Sequence, residues 1–98
     1  MTIDKQLNGS ELTLTLNGRL DTTTAPELEN AIKENIAGIT NLVMDFAGLE
    51  YLSSAGLRVI LSAPQPMNKQ GEMVIRNVNE TINEVFEITG FIDILTIE

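Results

Sequence analysis

Ser53 and Ser54 stand between an apolar strand pattern, Leu42-Val43-Met44-Asp45-Phe46, and an apolar helix pattern, Ala55-Gly56-Leu57-Arg58-Val59-Ile60-Leu61. A helix start leaves amide N–H groups without intrahelical partners and carries partial positive charge. A serine placed there can cap the helix, or it can accept a phosphoryl group whose charge the amides partly offset. Serine is a strong capping residue, so the local pattern leaves both roles open.

Other reactive side chains are scarce. The chain has no histidine and no cysteine, which removes the usual general base, the thiol nucleophile and the commonest transition-metal ligands. No glycine-rich run ends in Lys-Ser or Lys-Thr, so the phosphate-binding loop of nucleotide hydrolases is absent. Asp21, Asp45 and Glu50 could gather near Ser54, but they lack the spacing of metal ligands. The residues therefore predict no enzyme of its own, no catalytic group, no metal and no cofactor.

Charge narrows the partners. Fourteen acids against six bases give a net charge of -8, which repels nucleic-acid backbones and anionic lipid. The few aromatics, Phe46, Tyr51, Phe86 and Phe91, form no stacking platform with bases around them. Neither nucleic-acid binding nor direct membrane binding is expected. The first residues, Met1-Thr2-Ile3-Asp4-Lys5, show no signal pattern, and no apolar run reaches membrane-spanning length. A soluble cytoplasmic chain is expected, and the lack of cysteine suits a reducing compartment. With 98 residues and 43% hydrophobic content, it should fold as one domain over 1–98.

The elements that position the serines read as follows. Leu12, Leu14 and Leu16 alternate with polar residues, and Asn8-Gly9 suits a tight turn, so residues 3–7 and 11–17 should pair as a hairpin. Gly18-Arg19-Leu20-Asp21 then leaves the sheet. Thr24 and Glu27 have the spacing of a capping box, ahead of an apolar stripe of Ala25, Leu28, Ala31, Ile32 and Ile36. Gly38 ends this helix. Leu42 to Phe46 predicts an interior strand covered on both faces, and residues 47–52 a loop. Asp45 could cap a loop amide or help shape a site.

The second helix is expected from Ser54 to about Ala63, with Ala55, Leu57, Ile60 and Leu61 facing the core. Pro64 and Pro66 should stop it there, because each lacks an N–H and clashes with the preceding turn. Met73 to Ile75 is a further strand. A third helix spans Asn79 to Thr89, burying Ile82, Val85, Phe86 and Thr89 and ending at Gly90. Ile94 to Ile97 is the last strand. The order ββαβαβαβ predicts an α/β fold: a mixed, mostly parallel sheet with an antiparallel edge and helices packed on it.

Three stretches carry a family resemblance: Gly18-Arg19-Leu20-Asp21, Met44 through Leu57, and Gly71-Glu72-Met73-Val74-Ile75. Together they resemble the STAS domain of bacterial anti-sigma factor antagonists, over essentially the whole chain. The resemblance implies a phosphoprotein of transcription regulation whose unmodified form binds an anti-sigma factor serine kinase and so releases a sigma factor. It implies Ser54 as the phosphoacceptor, with Ser53 as the alternative, and Asp21 as the loop acid beside it. The partner-binding surface then comprises Asp21, Ser53, Ser54, Ala55, Gly56 and Arg58. A serine phosphatase is a further implied partner, and the free protein should be a monomer. Related domains also serve as non-signalling subunits of lipid-transport ABC systems, which is the alternative reading.

The chain departs from the family pattern in two stretches. The acid usually found before the acceptor is Ser53 here, and the next hydroxyl is replaced by Ala55. Pro64-Gln65-Pro66 interrupts what is usually a continuing polar helix. The switch itself has a simple physical basis. A phosphoserine adds about -1.5 to -2 charges, which a helix start tolerates and a packed contact does not. A loss of about 3 kcal/mol would weaken binding more than a hundredfold.

Overall fold

The computed structural model describes residues 1–62, 71–93 and 95–98. Strand β1 (Thr2–Asn8) pairs antiparallel with β2 (Glu11–Leu20), and Asn8 opposes Glu11. The two turn residues are therefore Gly9 and Ser10, one position later than the Asn-Gly reading, and Gly9 supplies the positive φ of 63°. Helix α1 (Ala25–Asn35) crosses to β3 (Asn41–Leu52), and α2 (Ser54–Ser62) follows at once. Then come β4 (Glu72–Arg76), α3 (Glu80–Thr89) and a 3-10 turn at Phe91–Asp93. Among the described residues the sheet has four strands in the order β1-β2-β3-β4, parallel except at the β1 edge.

The core lies where the helices meet one face of this sheet. Leu12, Leu14 and Leu16 of β2 join Leu42, Met44 and Phe46 of β3 in a buried cluster. Leu28 and Ile32 of α1, Leu57 and Ile60 of α2, and Ile82 and Phe86 of α3 complete it. Val43 and Val74 are also buried but lie outside this cluster. Alternation along the strands puts them on the opposite face, where they are register partners. Val43 is only 2% exposed, so the interior strand β3 is buried on both faces, as its apolar run predicts. On its second face β3 is shielded by cross-strand neighbours, Thr13 and Val74 beside Val43.

Several boundaries and buried positions differ from the sequence reading. β2 does not leave the sheet at Gly18, and 47–52 is strand rather than loop. These two extensions pair with each other, through register shifts after Thr15 and after Gly18, and together they bury Leu20, Leu49 and Leu52. In α2 the buried positions include Gly56 and Val59, while Ala55 and Leu61 are only half-buried. In α3, Thr89 is exposed and donates its hydroxyl back to the Val85 carbonyl at 2.7 Å. The last strand reduces to a parallel bridge between Ile75 and Ile97, because Leu95 N–H turns back to the Phe91 carbonyl at 2.9 Å. The Ile94 end of that strand, and the predicted stop of α2 near Ala63, Pro64 and Pro66, lie outside the described residues.

Caps set the remaining ends. Asn79 Oδ1 accepts from the Ile82 amide at 2.8 Å to open α3, and Gly90 closes it with φ 79°. Among the described residues, no helix is long and apolar enough to cross a membrane.

Candidate functional site

The site is built at the end of two neighbouring parallel strands. Leu20 and Leu52 are register partners, and the Ser53 amide donates to the Leu20 carbonyl at 2.9 Å. The chain then diverges: β2 runs into the Asp21 loop, and β3 runs into α2. Asp21 and Ser53 thus follow adjacent strand ends.

The two serines take different roles. Ser53 Oγ accepts from the Gly56 amide at 3.3 Å, and its carbonyl accepts from the Leu57 amide at 3.0 Å. Ser53 is therefore the N-cap of α2. Ser54 is the first helical residue and is exposed, and its hydroxyl has no partner among the described residues. A capped helix start with a free hydroxyl beside it can receive a phosphoryl group without losing its cap.

Asp21 organises its own loop. Its Oδ1 accepts from the Thr23 hydroxyl at 2.7 Å, the Thr23 amide at 3.0 Å and the Thr24 amide at 3.2 Å. The Thr23 hydroxyl, opposed by partial desolvation and helped by the Thr23 and Thr24 amides, lowers the carboxyl pKa below its ordinary value. The predicted capping box of Thr24 and Glu27 does not form. Thr24 sits at the N-cap in helical geometry with no side-chain cap bond. Its hydroxyl is drawn away by Asp21 and Arg19, donating to the Arg19 carbonyl at 2.8 Å and accepting from the Asp21 amide at 2.8 Å. A carboxylate that binds two amides outcompetes a threonine hydroxyl for the same helix start.

The other expected surface residues separate into two groups. Ala55 and Arg58 line a groove of about 260 Å³ between α1 and α2, with Thr22, Pro26 and Glu29 among its walls. Ser54 and Arg58 line a second groove of about 280 Å³, with Leu57, Leu61, Thr89 and Phe91. Gly56 belongs to neither. It is buried, and a Cβ there would stand 2.7 Å from Leu20 Cγ and 2.9 Å from Leu52 Cδ1. Its position serves packing of α2 on the strand ends.

Three further sets of contacts tie β3 to its neighbours, and of these the sequence offered only the amide-capping role of Asp45. The Arg19 guanidinium lies 4.3 Å from the centroid of the Tyr51 ring, a cation–π pair of register partners that also approaches Asp21 at 4.0 Å. Asp45 Oδ1 accepts from the Ala47 amide at 2.9 Å and from Asn77 Nδ2 at 3.0 Å. Of its two possible roles, Asp45 therefore takes amide capping. Asn77 holds the left-handed conformation, φ 58°, which an asparagine tolerates. Asn79 Nδ2 donates to the Leu49 carbonyl at 2.8 Å, tying the start of α3 to β3. Asparagines flanking a helix start were the available signal for both tethers. Among the described residues, no group of three or more acidic side chains is placed to hold a metal ion.

Comparison with known proteins agrees with this architecture. The STAS domain family model matches residues 2–98. BtrV of Bordetella bronchiseptica, named as an anti-sigma factor antagonist, is 35% identical, the match covering 99% of this chain and 84% of that protein. The anti-sigma-B factor antagonist of Listeria monocytogenes is 29% identical, over 96% of this chain and 84% of that protein. Among solved structures, an anti-sigma factor antagonist from Mycobacterium paratuberculosis superposes with a TM-score of 0.88 at 23% identity, covering 98% of this chain and 83% of that one. Unphosphorylated SpoIIAA superposes with a TM-score of 0.77 at 17% identity, covering 99% and 87%. SpoIIAA has also been solved in its phosphorylated form, with a TM-score of 0.77 at 18% identity over 99% and 91%. The chain belongs to the STAS domain family, among the bacterial anti-sigma factor antagonists.

Proposed function

We propose that this protein is a phosphorylation-switched anti-sigma factor antagonist. Its unmodified form binds an anti-sigma factor that is also a serine kinase, and binding releases a sigma factor. Phosphorylation of Ser54 ends the association, and a serine phosphatase restores it. The observation that carries this reading is the division of labour between the serines. Ser53 supplies the cap, and Ser54 presents an exposed, unpartnered hydroxyl on the same helix turn. The names of the relatives, and a structural neighbour described in both phosphorylated and unphosphorylated forms, support the same reading.

The chemistry requires nothing from this chain beyond an accessible acceptor and a surface. An added phosphate at Ser54 would enter a contact surface already bearing Asp21. The helix amides would tolerate it, so the fold would survive while the contact would not. The direct test is mass identification of proteins that co-purify with wild type and with Ser54→Ala. A serine kinase of the anti-sigma class should be recovered with both, and more of it with the variant. Recovery of transporter subunits instead would overturn the signalling assignment.

A further inference from the structure

Arg58 lies four residues after Ser54 on α2, is exposed, and shares a groove with it. The other arginines and Lys33 have acidic partners: Arg19 approaches Asp21, Lys33 pairs with Glu29 and Arg76 pairs with Glu98. The Arg58 guanidinium has none among the described residues. From α1, the charged group that shares a groove with Arg58 is Glu29, and Lys33 already holds it at 3.3 Å. The α3 side of the other groove contributes Thr89 and Phe91, which are uncharged.

Residues four apart stack on one helix face, and side chains tilt toward the helix N-terminus. A long side chain at Arg58 is thus within reach of Ser54, with which it lines one groove. An anion at the earlier position with a cation four residues later is also the favourable order on a helix. Arginine adds a planar fork that can bind a phosphate through two hydrogen bonds at once.

Resting on the phosphorylation reading above, we propose that a phosphoryl group on Ser54 is held within the chain by Arg58. The modification recruits its own counter-charge and draws the arginine across the groove lined by Leu57, Leu61 and Phe91. The modified surface then differs from the unmodified one in shape as well as charge. A carboxylate at position 54, shorter and singly charged, reproduces this only in part.

The test uses protein carrying phosphoserine inserted at position 54 during translation, so that no kinase is needed. Phosphorus NMR then follows the second ionisation of the phosphate, ordinarily near pH 6. In the wild-type background that ionisation should fall about 0.2–0.4 pH unit below its value in Arg58→Gln. Arg58→Lys should restore part of the difference, and about 1 M salt should abolish it. The helix amides are the same in all three proteins, so the difference reports the side chain alone. Identical titrations in wild type and Arg58→Gln would overturn the proposal even if a kinase labels Ser54. A clear difference would sustain it even if the partner kinase proves to be of another class.

Discussion

The Gly56 amide donates to Ser53 Oγ at 3.3 Å, and this one contact separates two adjacent serines into a structural hydroxyl and a free one. The same glycine is pressed against Leu20 and Leu52, the last residues of the two strands that deliver the site. Capping and packing therefore converge within the first turn of α2. The position of Ser54 is set by the backbone of α2 and by its neighbours, not by any bond of its hydroxyl.

Stability should divide between the serines accordingly. Ser53→Ala should cost about 0.5–1 kcal/mol, the lower part of the capping range, because the bond is long for an N–H to oxygen contact. Ser54→Ala should change stability by no more than about 0.5 kcal/mol, as expected of an exposed residue without a partner. Urea unfolding of the two variants measures this. A larger loss for Ser54→Ala than for Ser53→Ala would reverse the cap assignment.

Gly56→Ala should destabilise although alanine favours helix. The gain in helix propensity is about 1 kcal/mol, whereas overpacking a buried contact costs about 1–3 kcal/mol. Leu20 is fully buried and Leu52 nearly so, and the closest approach is to the branch carbon of Leu20, so neither side chain can swing away cheaply. A net loss of about 1 kcal/mol is expected, read from the denaturant midpoint. An unchanged or raised midpoint would show that α2 can lift without cost.

These details show what the sequence could and could not reveal. The alternation of Leu12, Leu14 and Leu16 and the helical spacing of Leu28 and Ile32 are local periodicities, and the core uses them as read. The start of α2 was equally legible, because Ser53-Ser54 stands directly before its apolar stripe. The extension of β3 through Leu52 was not. Ala47-Gly48-Leu49-Glu50 looks like a loop until a second strand is available to pair with it, and that partner is thirty-one residues away in the chain at Asn17 and Gly18. The choice between Ser53 and Ser54 as cap was hidden for a similar reason. It depends on where the Leu20 carbonyl fixes the last strand residue, a nonlocal contact. Competition between Asp21 and Thr24 for one helix start is a third case, since both residue types cap well.

Asp21 should give stability a dependence on acid pH. Folding lowers its pKa, so the ionised carboxylate contributes stability above the ordinary value of 3.8. That contribution is lost as pH falls through the lower, folded value. Asp21→Asn keeps an acceptor oxygen but not the charge, and it should be less stable than wild type at neutral pH. The gap should narrow as pH drops below 3.8. Parallel urea titrations at neutral and acid pH measure it, and a gap constant across that range would show that the Thr23 and Thr24 contacts do not depend on charge.

Ser54 should be the residue a partner kinase modifies, and the unmodified protein should be the binding form. Ser54→Ala removes only an exposed hydroxyl, so it should bind the anti-sigma factor like wild type and resist labelling. Ser54→Asp adds one charge where phosphate adds about -1.5 to -2, so it should weaken binding only in part. The neighbouring hydroxyl needs a control that preserves the helix start. Ser53→Asn serves, because asparagine caps as well as serine and cannot accept a phosphoryl group on oxygen. Labelling should persist in Ser53→Asn and vanish in Ser54→Ala, measured by intact mass after incubation with the kinase. Binding is followed by titration calorimetry, where a loss of about 1.4 kcal/mol appears as a tenfold weaker Kd. Undiminished labelling of Ser54→Ala, or unchanged binding of Ser54→Asp, would leave Ser54 as an ordinary first residue of a helix that Ser53 caps.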